Sequence, residues 1–228
     1  MPGFFLIRLR QMFGIFLEER VFILKNKNRT FILTNGFQPF IIKLMKKVLL
    51  VILVGVFVCL PCVAKVDIKF TPSNDCEDYI VKYIEDAQKS IDIAVYSISN
   101  EKIVMALKRA HNRGVKLRIL TDKLQASGRS SKVIELYRYG INIRVNSKHK
   151  IEHNKFAVYD RKAASTGSFN WTKYASDKNS ENCVFLVQDK EAVEKYGQRF
   201  EQLWRLNTKQ KSDILFRNII KRKKVLTN

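Results

Sequence analysis

"SIDIAVYSISNEKIVMALKRAHNRGVKLRILTD", residues 90–122, carries the clearest signals of the fold class. Residues 90–98 have strand character, apolar residues then recur at helical spacing, and residues 115–122 again have strand character. Gly114 stands between the helix and the second strand, where a left-handed glycine commonly ends a helix. Strand, helix and strand in this order predict a βαβ unit with two parallel strands.

Similar elements flank this unit on both sides. Residues 66–72 alternate apolar and polar side chains as a strand does, and Asn74 followed by Glu77 resembles a helix-capping box. Residues 123–129 predict a polar loop, which is followed by a short helix and by a strand over 141–145. The alternation predicts an α/β domain with a mixed, largely parallel β-sheet and helices on both faces.

The pattern changes in the last third of the chain. Two strand-like runs, 153–160 and 181–188, are joined by a connection rich in Gly, Ser and Asn. Residues 190–207 predict an amphipathic helix, which closes a domain assigned to residues 65–207. The remaining residues, 208–228, are basic and predict a mobile tail.

A secretory signal peptide is predicted over residues 45–64. Lysines at its start precede an unbroken apolar run, a proline then breaks any helix, and Ala64 precedes the expected cleavage site. We therefore expect an exported protein, periplasmic or secreted. The alternative is an uncleaved anchor over 48–64, slightly shorter than the roughly 20 residues of a spanning helix. Since signal peptides begin at the N terminus, Met45 is the expected natural start, and residues 1–44 are expected to be a non-native or disordered extension.

The chain is strongly basic, with 42 Lys and Arg against 21 Asp and Glu and a formal net charge of +21. Residues 65–228 keep 33 Lys and Arg against 19 Asp and Glu, so this part alone carries +14. Such a charge favours anionic partners, either nucleic acid or an acidic membrane surface. The two cysteines of this part, Cys76 and Cys183, could pair in an oxidising compartment, and two buried free thiols fit the sequence equally well.

"HNKFAVYDRKAASTGSFN", residues 153–170, concentrates groups that suit a phosphodiester. Residues two apart on a strand share a face, so His153 and Lys155 are expected to project together into a cleft. The lysine suits phosphate oxygens, and the imidazole is a nucleophile or proton donor near neutral pH. The Ser168 hydroxyl and the Asn170 amide are further groups that can bind a phosphate oxygen.

The spacing H-x-K-x4-D-x6-G-S-x-N resembles the signature of the phospholipase D superfamily. Its compact members with one such motif per chain are the most similar, a group that includes bacterial secreted endonucleases and mitochondrial cardiolipin hydrolases. The resemblance implies a phosphodiester hydrolase whose fold covers residues 65–207. The motif positions in this chain are His153, Lys155, Asp160, Gly167, Ser168 and Asn170.

The resemblance also implies a two-step mechanism. His153 would attack phosphorus to form a phosphohistidine, and a second histidine would protonate the leaving oxygen. Lys155 and Asn170 would hold the non-bridging oxygens and offset the charge that develops on them, with Ser168 in support.

Two acidic residues complete the implied catalytic set. Glu181 would orient a histidine and favour its charged form. Asp160 belongs to the motif, although its place at a strand end favours a structural hydrogen-bonding role over proton transfer. No Cys, His or carboxylate cluster in the sequence has the spacing of metal ligands, so neither a metal nor another cofactor is expected.

The mechanism needs a second motif, and the rest of the chain does not supply one. His111 is followed two positions later by an arginine and His149 by an isoleucine, so neither matches. One motif per chain therefore implies a homodimer with one composite site.

The motif does not choose between nucleic acid and lipid, because both are phosphodiesters. We expect a metal-independent endonuclease on DNA or RNA, since the net charge is high and Trp171 and Tyr174 lie where they could stack on bases. Burial of Trp171 in the core explains that residue equally well. The alternative is a phospholipase D-type hydrolase of phosphatidylcholine or cardiolipin, although residues 123–129 offer little apolar surface. A nucleic-acid binding or uptake protein is a third candidate, against which the complete motif argues.

Overall fold

The structure is a computed structural model, and the part of the chain that it describes falls into two compact units. The units comprise residues 1–61 and 62–228. The described residues are 16–18, 21–26, 29–33, 43–48 and 64–225.

The first unit contains an antiparallel sheet of three strands, each paired with the next along the chain. Residues 1–44, for which a non-native or disordered extension was expected, therefore include strand structure in their described part. The apolar run of the predicted signal peptide, residues 49–63, lies outside the described residues. None of the described helices is both long and apolar enough to cross a membrane. The strands are Phe16–Glu18, Val21–Asn26 and Arg29–Leu33.

The second unit alternates strands and helices in its first half, as predicted. Its strands are β1 Lys65–Phe70, β2 Ser90–Val95, β3 Lys116–Thr121, β4 Asn142–Val145, β5 Lys155–Tyr159, β6 Ala163–Gly167 and β7 Asn182–Val187. Its helices are α1 Asp75–Asp86, α2 Glu101–Asn112, α3 Lys123–Ser127, α4 Val133–Arg138, α5 Lys173–Asp177, α6 Lys190–Leu206 and α7 Lys209–Val225.

The strands form one mixed sheet in the order β1-β7-β6-β5-β2-β3-β4. The predicted βαβ unit is confirmed, because β2 pairs parallel with β3 across helix α2, and β3 pairs parallel with β4. The expectation of a largely parallel sheet needs correction, since the other neighbouring pairs are antiparallel.

A tight hairpin is one cause of the antiparallel half. Asp160 and Arg161 take φ angles of 51° and 56°, and the Lys162 amide donates to the Tyr159 carbonyl at 2.9 Å. This geometry is that of a type I′ turn, which returns the chain directly beside itself. Strand β6, predicted as a connection, therefore pairs with β5. Its sequence of Ala, Ser, Thr and Gly has weak strand preference, and small residues suit a strand enclosed between two others.

Helices cover both faces of the sheet, as predicted. On one face, apolar residues of α1, α2 and α4 pack against β2, β3 and β5. On the other face, Phe200 and Trp204 of α6 pack against Phe156 of β5 and Leu120 of β3. Two separate cores therefore hold the middle of the sheet rigid between them.

Residues 209–225 form helix α7, although a mobile basic tail was expected. Phe216 and Ile219 are buried in the core beside α4, and the Ser212 hydroxyl accepts a hydrogen bond from the Val145 amide at 3.0 Å. These three residues follow helical spacing, so the apolar side of the helix outweighs the basic residues on its exposed side.

The predicted capping box at α1 does not form, because Asn74 makes no side-chain cap bond. Glu77 is buried instead, where it accepts hydrogen bonds from Asn100 and Ser176 and pairs with Lys102 at 2.7 Å. Burial alone would raise the pKa of Glu77, but these three partners together hold it below its usual value. The carboxylate thereby joins α1, the start of α2 and α5.

A disulfide bond joins α1 to β7. Cys76 and Cys183 are both buried, their Cα atoms lie 5.9 Å apart, and 107 positions separate them in sequence. Of the two alternatives that the sequence left open, the structure therefore has the bonded pair.

Candidate active site

The residues that were predicted to form a cleft lie at one edge of the sheet. The parallel strands β2 and β3 end there, and the antiparallel strand β5 begins there, so Tyr96 after β2 comes beside the start of β5. The Tyr96 amide donates to the Asn154 carbonyl at 2.9 Å. Ligands commonly bind outside the carboxyl ends of parallel strands, so the site lies where the topology favours one.

His153 and Lys155 meet at this edge. His153 is exposed, and its ring centroid lies 4.8 Å from that of Tyr96 in an edge-on arrangement. The Lys155 ammonium lies 5.1 Å from the same ring centroid and donates a hydrogen bond to the His153 carbonyl at 2.7 Å. The two groups that were expected to share a cleft therefore share a common aromatic neighbour, which restrains both side chains.

The surroundings of Lys155 are partly desolvated. Burial lowers the pKa of its ammonium, while the carboxylates of Glu181 and Glu152 oppose that shift. A lysine with few competing waters binds an incoming phosphate oxygen more strongly than a solvated one does.

Gly167 sets the backbone path into the site. Its φ is +143°, and a Cβ at this position would lie 2.3 Å from the Asn182 carbonyl oxygen. Only glycine permits this approach of β6 to β7. The next residue, Ser168, accepts a hydrogen bond from the Asn182 amide at 3.1 Å and donates one to Glu181.

Glu181 is held by three neighbours. Its carboxylate accepts hydrogen bonds from Ser168 and, at 2.8 Å, from the Asn179 side chain. The Thr71 hydroxyl accepts a hydrogen bond from the Glu181 amide at 2.8 Å. Among the described residues the carboxylate therefore binds Ser168 and Asn179 rather than His153. The predicted role of orienting a histidine thus stays a prediction for an assembly of two copies.

Asn170 enters the site through the segment after β6. Its neighbour Trp171 forms a bridge with Ile98, beyond the end of β2, and the Trp171 amide donates to the Ser97 carbonyl at 3.1 Å. This pairing places Asn170 beside the Tyr96 end of β2. Within the described residues, the buried side-chain oxygen of Asn170 has no hydrogen-bond partner. An unpaired buried oxygen of this kind is expected where a ligand or water completes the site.

Asp160 lies away from the other motif residues. It follows the far end of β5, about 17 Å along the strand from Lys155. Its carboxylate accepts hydrogen bonds from the amides of Gln88, Lys89 and Ser90 at 2.8, 2.7 and 2.9 Å. Asp160 therefore fixes the turn before β2, which is the structural hydrogen-bonding role that its place at a strand end favoured; its place in the catalytic set stays a prediction.

The Asp160→Asn variant is expected to be less stable by about 1–3 kcal/mol at pH 7, because an amide cannot accept all three backbone bonds. Burial alone would raise the pKa of Asp160, but the three amide donors hold it below its usual value. The stabilisation is therefore present above the unfolded pKa of about 3.9 and is lost as the pH falls through the folded pKa. The difference in the free energy of unfolding between the wild type and the variant, measured by urea unfolding, should therefore be smaller at pH 3 than at pH 7.

The exposed residue Asp86 supplies the control for this experiment. Asp86→Asn should change stability by less than about 0.5 kcal/mol at either pH. If Asp160→Asn lost the same amount of stability at both pH values, stabilisation by the charged carboxylate would be contradicted.

Sequence reasoning missed two residues of the site. Tyr96 contacts both His153 and Lys155, and an aromatic residue at the end of a predicted parallel strand could have indicated it. Thr71 donates to the Asn179 carbonyl at 2.8 Å and accepts from Glu181, which fixes the loop before β7. No sequence signal points to Thr71, because its partners lie more than 100 positions away. The described residues contain no group of three metal-ligating side chains.

Fold and site together define a class of α/β proteins that present a histidine, a lysine and hydrogen-bonding side chains to a phosphodiester. The sequence model described as "Cardiolipin synthase, PLD-like domain" matches residues 80–204. The chain belongs to the phospholipase D superfamily, and the predicted enzyme class, a phosphodiester hydrolase, is confirmed.

Individual relatives agree with this assignment. The phospholipase D of Rickettsia felis is 39% identical over 137 residues, which are 60% of this chain and 68% of that protein. The mitochondrial cardiolipin hydrolase of Chlamydomonas reinhardtii is 34% identical over 54% of each chain. The crystal structure of Nuc, a phospholipase D family member from Salmonella typhimurium, superposes with a TM-score of 0.61 and 30% identity, covering 64% of this chain and 97% of that one.

Proposed function

We propose that the chain hydrolyses phosphodiester bonds in two steps through a phosphohistidine on His153. A ring nitrogen of His153 bonds to phosphorus while the bond to the leaving oxygen breaks, and His153 of a second copy gives that oxygen a proton. The second histidine then takes a proton from water, the water oxygen bonds to phosphorus, and the phosphorus–nitrogen bond breaks. The observation that carries this proposal is the grouping of four motif side chains, those of His153, Lys155, Ser168 and Asn170, at one sheet edge, with Glu181 bound to Ser168.

The remaining side chains have supporting roles in this mechanism. Lys155 and the Asn170 amide would bind the non-bridging oxygens, whose negative charge grows as phosphorus is attacked. Ser168 would keep Glu181 at the rim of the cleft, where the carboxylate can orient a histidine of the second copy. Since one chain supplies one motif, the active species is a two-fold homodimer with a composite site.

Phospholipid is the substrate that we propose. Trp171, one of two aromatic residues that the endonuclease hypothesis offered for stacking on bases, is only 2% exposed and packs in the core. The region beside His153 instead exposes aliphatic side chains, Leu124 at 69% and Ile151 at 47%. Aliphatic side chains suit acyl chains, whereas bases stack on aromatic faces. The names of the Rickettsia felis and Chlamydomonas reinhardtii relatives also refer to phospholipids.

Nucleic acid is the second candidate substrate. The net charge of +14 on residues 65–228 and the 69% exposure of Tyr174 favour it.

We also propose that the chain works in an oxidising compartment outside the cytosol. The disulfide between Cys76 and Cys183 supports this, because such bonds persist in exported proteins and are rare in cytosolic ones. The predicted signal peptide agrees with the same compartment.

The function is tested by offering several phosphodiesters in parallel with EDTA present throughout. Phosphatidylcholine vesicles, cardiolipin vesicles, plasmid DNA, single-stranded DNA and RNA are incubated with the full chain. We expect release of headgroup and formation of phosphatidic acid, with no cleavage of nucleic acid. Cleavage of nucleic acid alone would favour the second candidate, and loss of turnover in EDTA would contradict a metal-independent mechanism.

A further inference from the structure

We propose that a surface beside the active site docks the chain on an anionic phospholipid bilayer, an inference that rests on the proposed phospholipid substrate. The surface combines exposed aliphatic and cationic side chains, and we call it the cationic lip. It consists of Lys123, Leu124, Lys148, Lys150 and Ile151, all of them exposed.

One buried carboxylate holds the two halves of the cationic lip together. Asp122 accepts a hydrogen bond from the Leu124 amide at 2.8 Å through one oxygen and from the Glu152 amide at 3.1 Å through the other. Leu124 and Ile151, which precedes Glu152, therefore lie on either side of a single carboxylate. Asp122 is almost fully buried, so this arrangement is part of the rigid fold.

A buried amide fixes the lysine-bearing part of the cationic lip. The Asn146 side chain accepts hydrogen bonds from the Lys148 and His149 amides at 3.2 and 3.0 Å and donates to the His149 carbonyl at 2.7 Å. These bonds fix the backbone of residues 146–149, which includes Lys148 and directly precedes Lys150. The side chains of both lysines are exposed.

The charge of the cationic lip is not neutralised within the described residues. None of its three lysines forms an ion pair there, whereas Lys102 and Lys132 each pair with carboxylates. Free lysines next to exposed aliphatic side chains complement an anionic bilayer, whose headgroups attract the cations and whose acyl region receives the aliphatic groups.

The position of the cationic lip gives it a use in catalysis. Ile151 stands two residues before His153, so a headgroup held at the cationic lip is close to the nucleophile. Docking would therefore bring the phosphodiester at the membrane surface to the cleft without extracting the lipid.

The test places an environment-sensitive fluorophore at single cysteines of the full chain. Cys59 and Cys62 are replaced by serine, and the bonded Cys76 and Cys183 do not react. Ile151→Cys carries the probe in the cationic lip, and Met105→Cys, on the exposed side of α2, is the matched control. Because the readout is local, membrane contact by any other segment does not affect it.

We expect the emission at position 151 to rise at least about twofold on phosphatidylglycerol-containing vesicles and to be quenched by lipids that carry a quencher, with no change at position 105. The double variant Lys148→Gln, Lys150→Gln should lose most of this rise. The control double variant Lys89→Gln, Lys116→Gln, altered at the opposite edge of the sheet, should keep it. Equal responses at positions 151 and 105, or none, would overturn the proposal.

Two further results would also overturn it. A response to single-stranded DNA instead of vesicles would make the cationic lip a nucleic-acid surface. A response to protein concentration without vesicles would make it a contact between two copies. Hydrolysis of soluble bis(4-nitrophenyl) phosphate is measured in parallel, so failure of the proposed chemistry is distinguished from failure of membrane docking.

Discussion

The His153→Ala variant is expected to keep the fold and to lose phosphodiester hydrolysis by about 10⁴-fold or more, because the proposed mechanism forms its covalent intermediate on His153. His153 is exposed, so its removal leaves no cavity in either core. The rate is measured on the best substrate of the panel, and thermal unfolding checks the fold. His111→Ala is the control, since that histidine lies on α2, away from the cleft, against Tyr139.

Mixing the variant with the wild-type chain tests the composite site. If both copies of His153 act on one phosphorus, only all-wild-type dimers are active, and an equal mixture after subunit exchange keeps about one quarter of the activity. Independent chains would keep about one half. A value of one half, or full activity of a monomer in analytical ultracentrifugation, would contradict the dimeric mechanism.

The βαβ unit was predictable because its signals are local. The Asn100 side chain caps α2 by accepting a hydrogen bond from the Ile103 amide at 3.2 Å, and Gly114 follows the end of the helix with a φ of +85°. The motif from His153 to Asn170 was equally readable, since spacing along a strand determines which side chains share a face.

The missed elements depend on contacts between distant residues. Strand β6 exists because β5 and β7 enclose it, which its own small residues do not reveal. The many basic residues of helix α7 predicted a mobile tail, whereas Phe216 and Ile219 on its apolar side are buried. The sequence fitted a buried and an exposed Trp171 equally well, and the pairing of Trp171 with Ile98 places it in the core. In each case tertiary packing decides between local alternatives.

Loss of the Cys76–Cys183 bond is expected to destabilise the second unit by about 4–5 kcal/mol. The bond closes a loop of 107 residues, and a crosslink of that length removes much of the unfolded chain's freedom. Domains of this size are commonly stable by about 5–15 kcal/mol, so the bond supplies a large share of the total. The two cysteines are buried in the same core, and their reduced side chains can stay packed there. Most of the loss therefore comes from the unfolded state.

Urea unfolding of the oxidised chain, the reduced chain and the Cys76→Ala, Cys183→Ala double variant measures this contribution. Cys59 and Cys62 are replaced by serine in every sample, so that no other bond forms. The reduced chain should unfold at a clearly lower urea concentration than the oxidised chain. The urea midpoint of the double variant should be lowered at least as much, because this variant also loses two buried sulfurs. The oxidised sample carries only these two replacements, and its urea midpoint should match that of the unaltered, oxidised wild-type chain. Equal midpoints for the oxidised and reduced samples would show that the bond does not stabilise the fold, and would remove the support that it gives to an oxidising compartment.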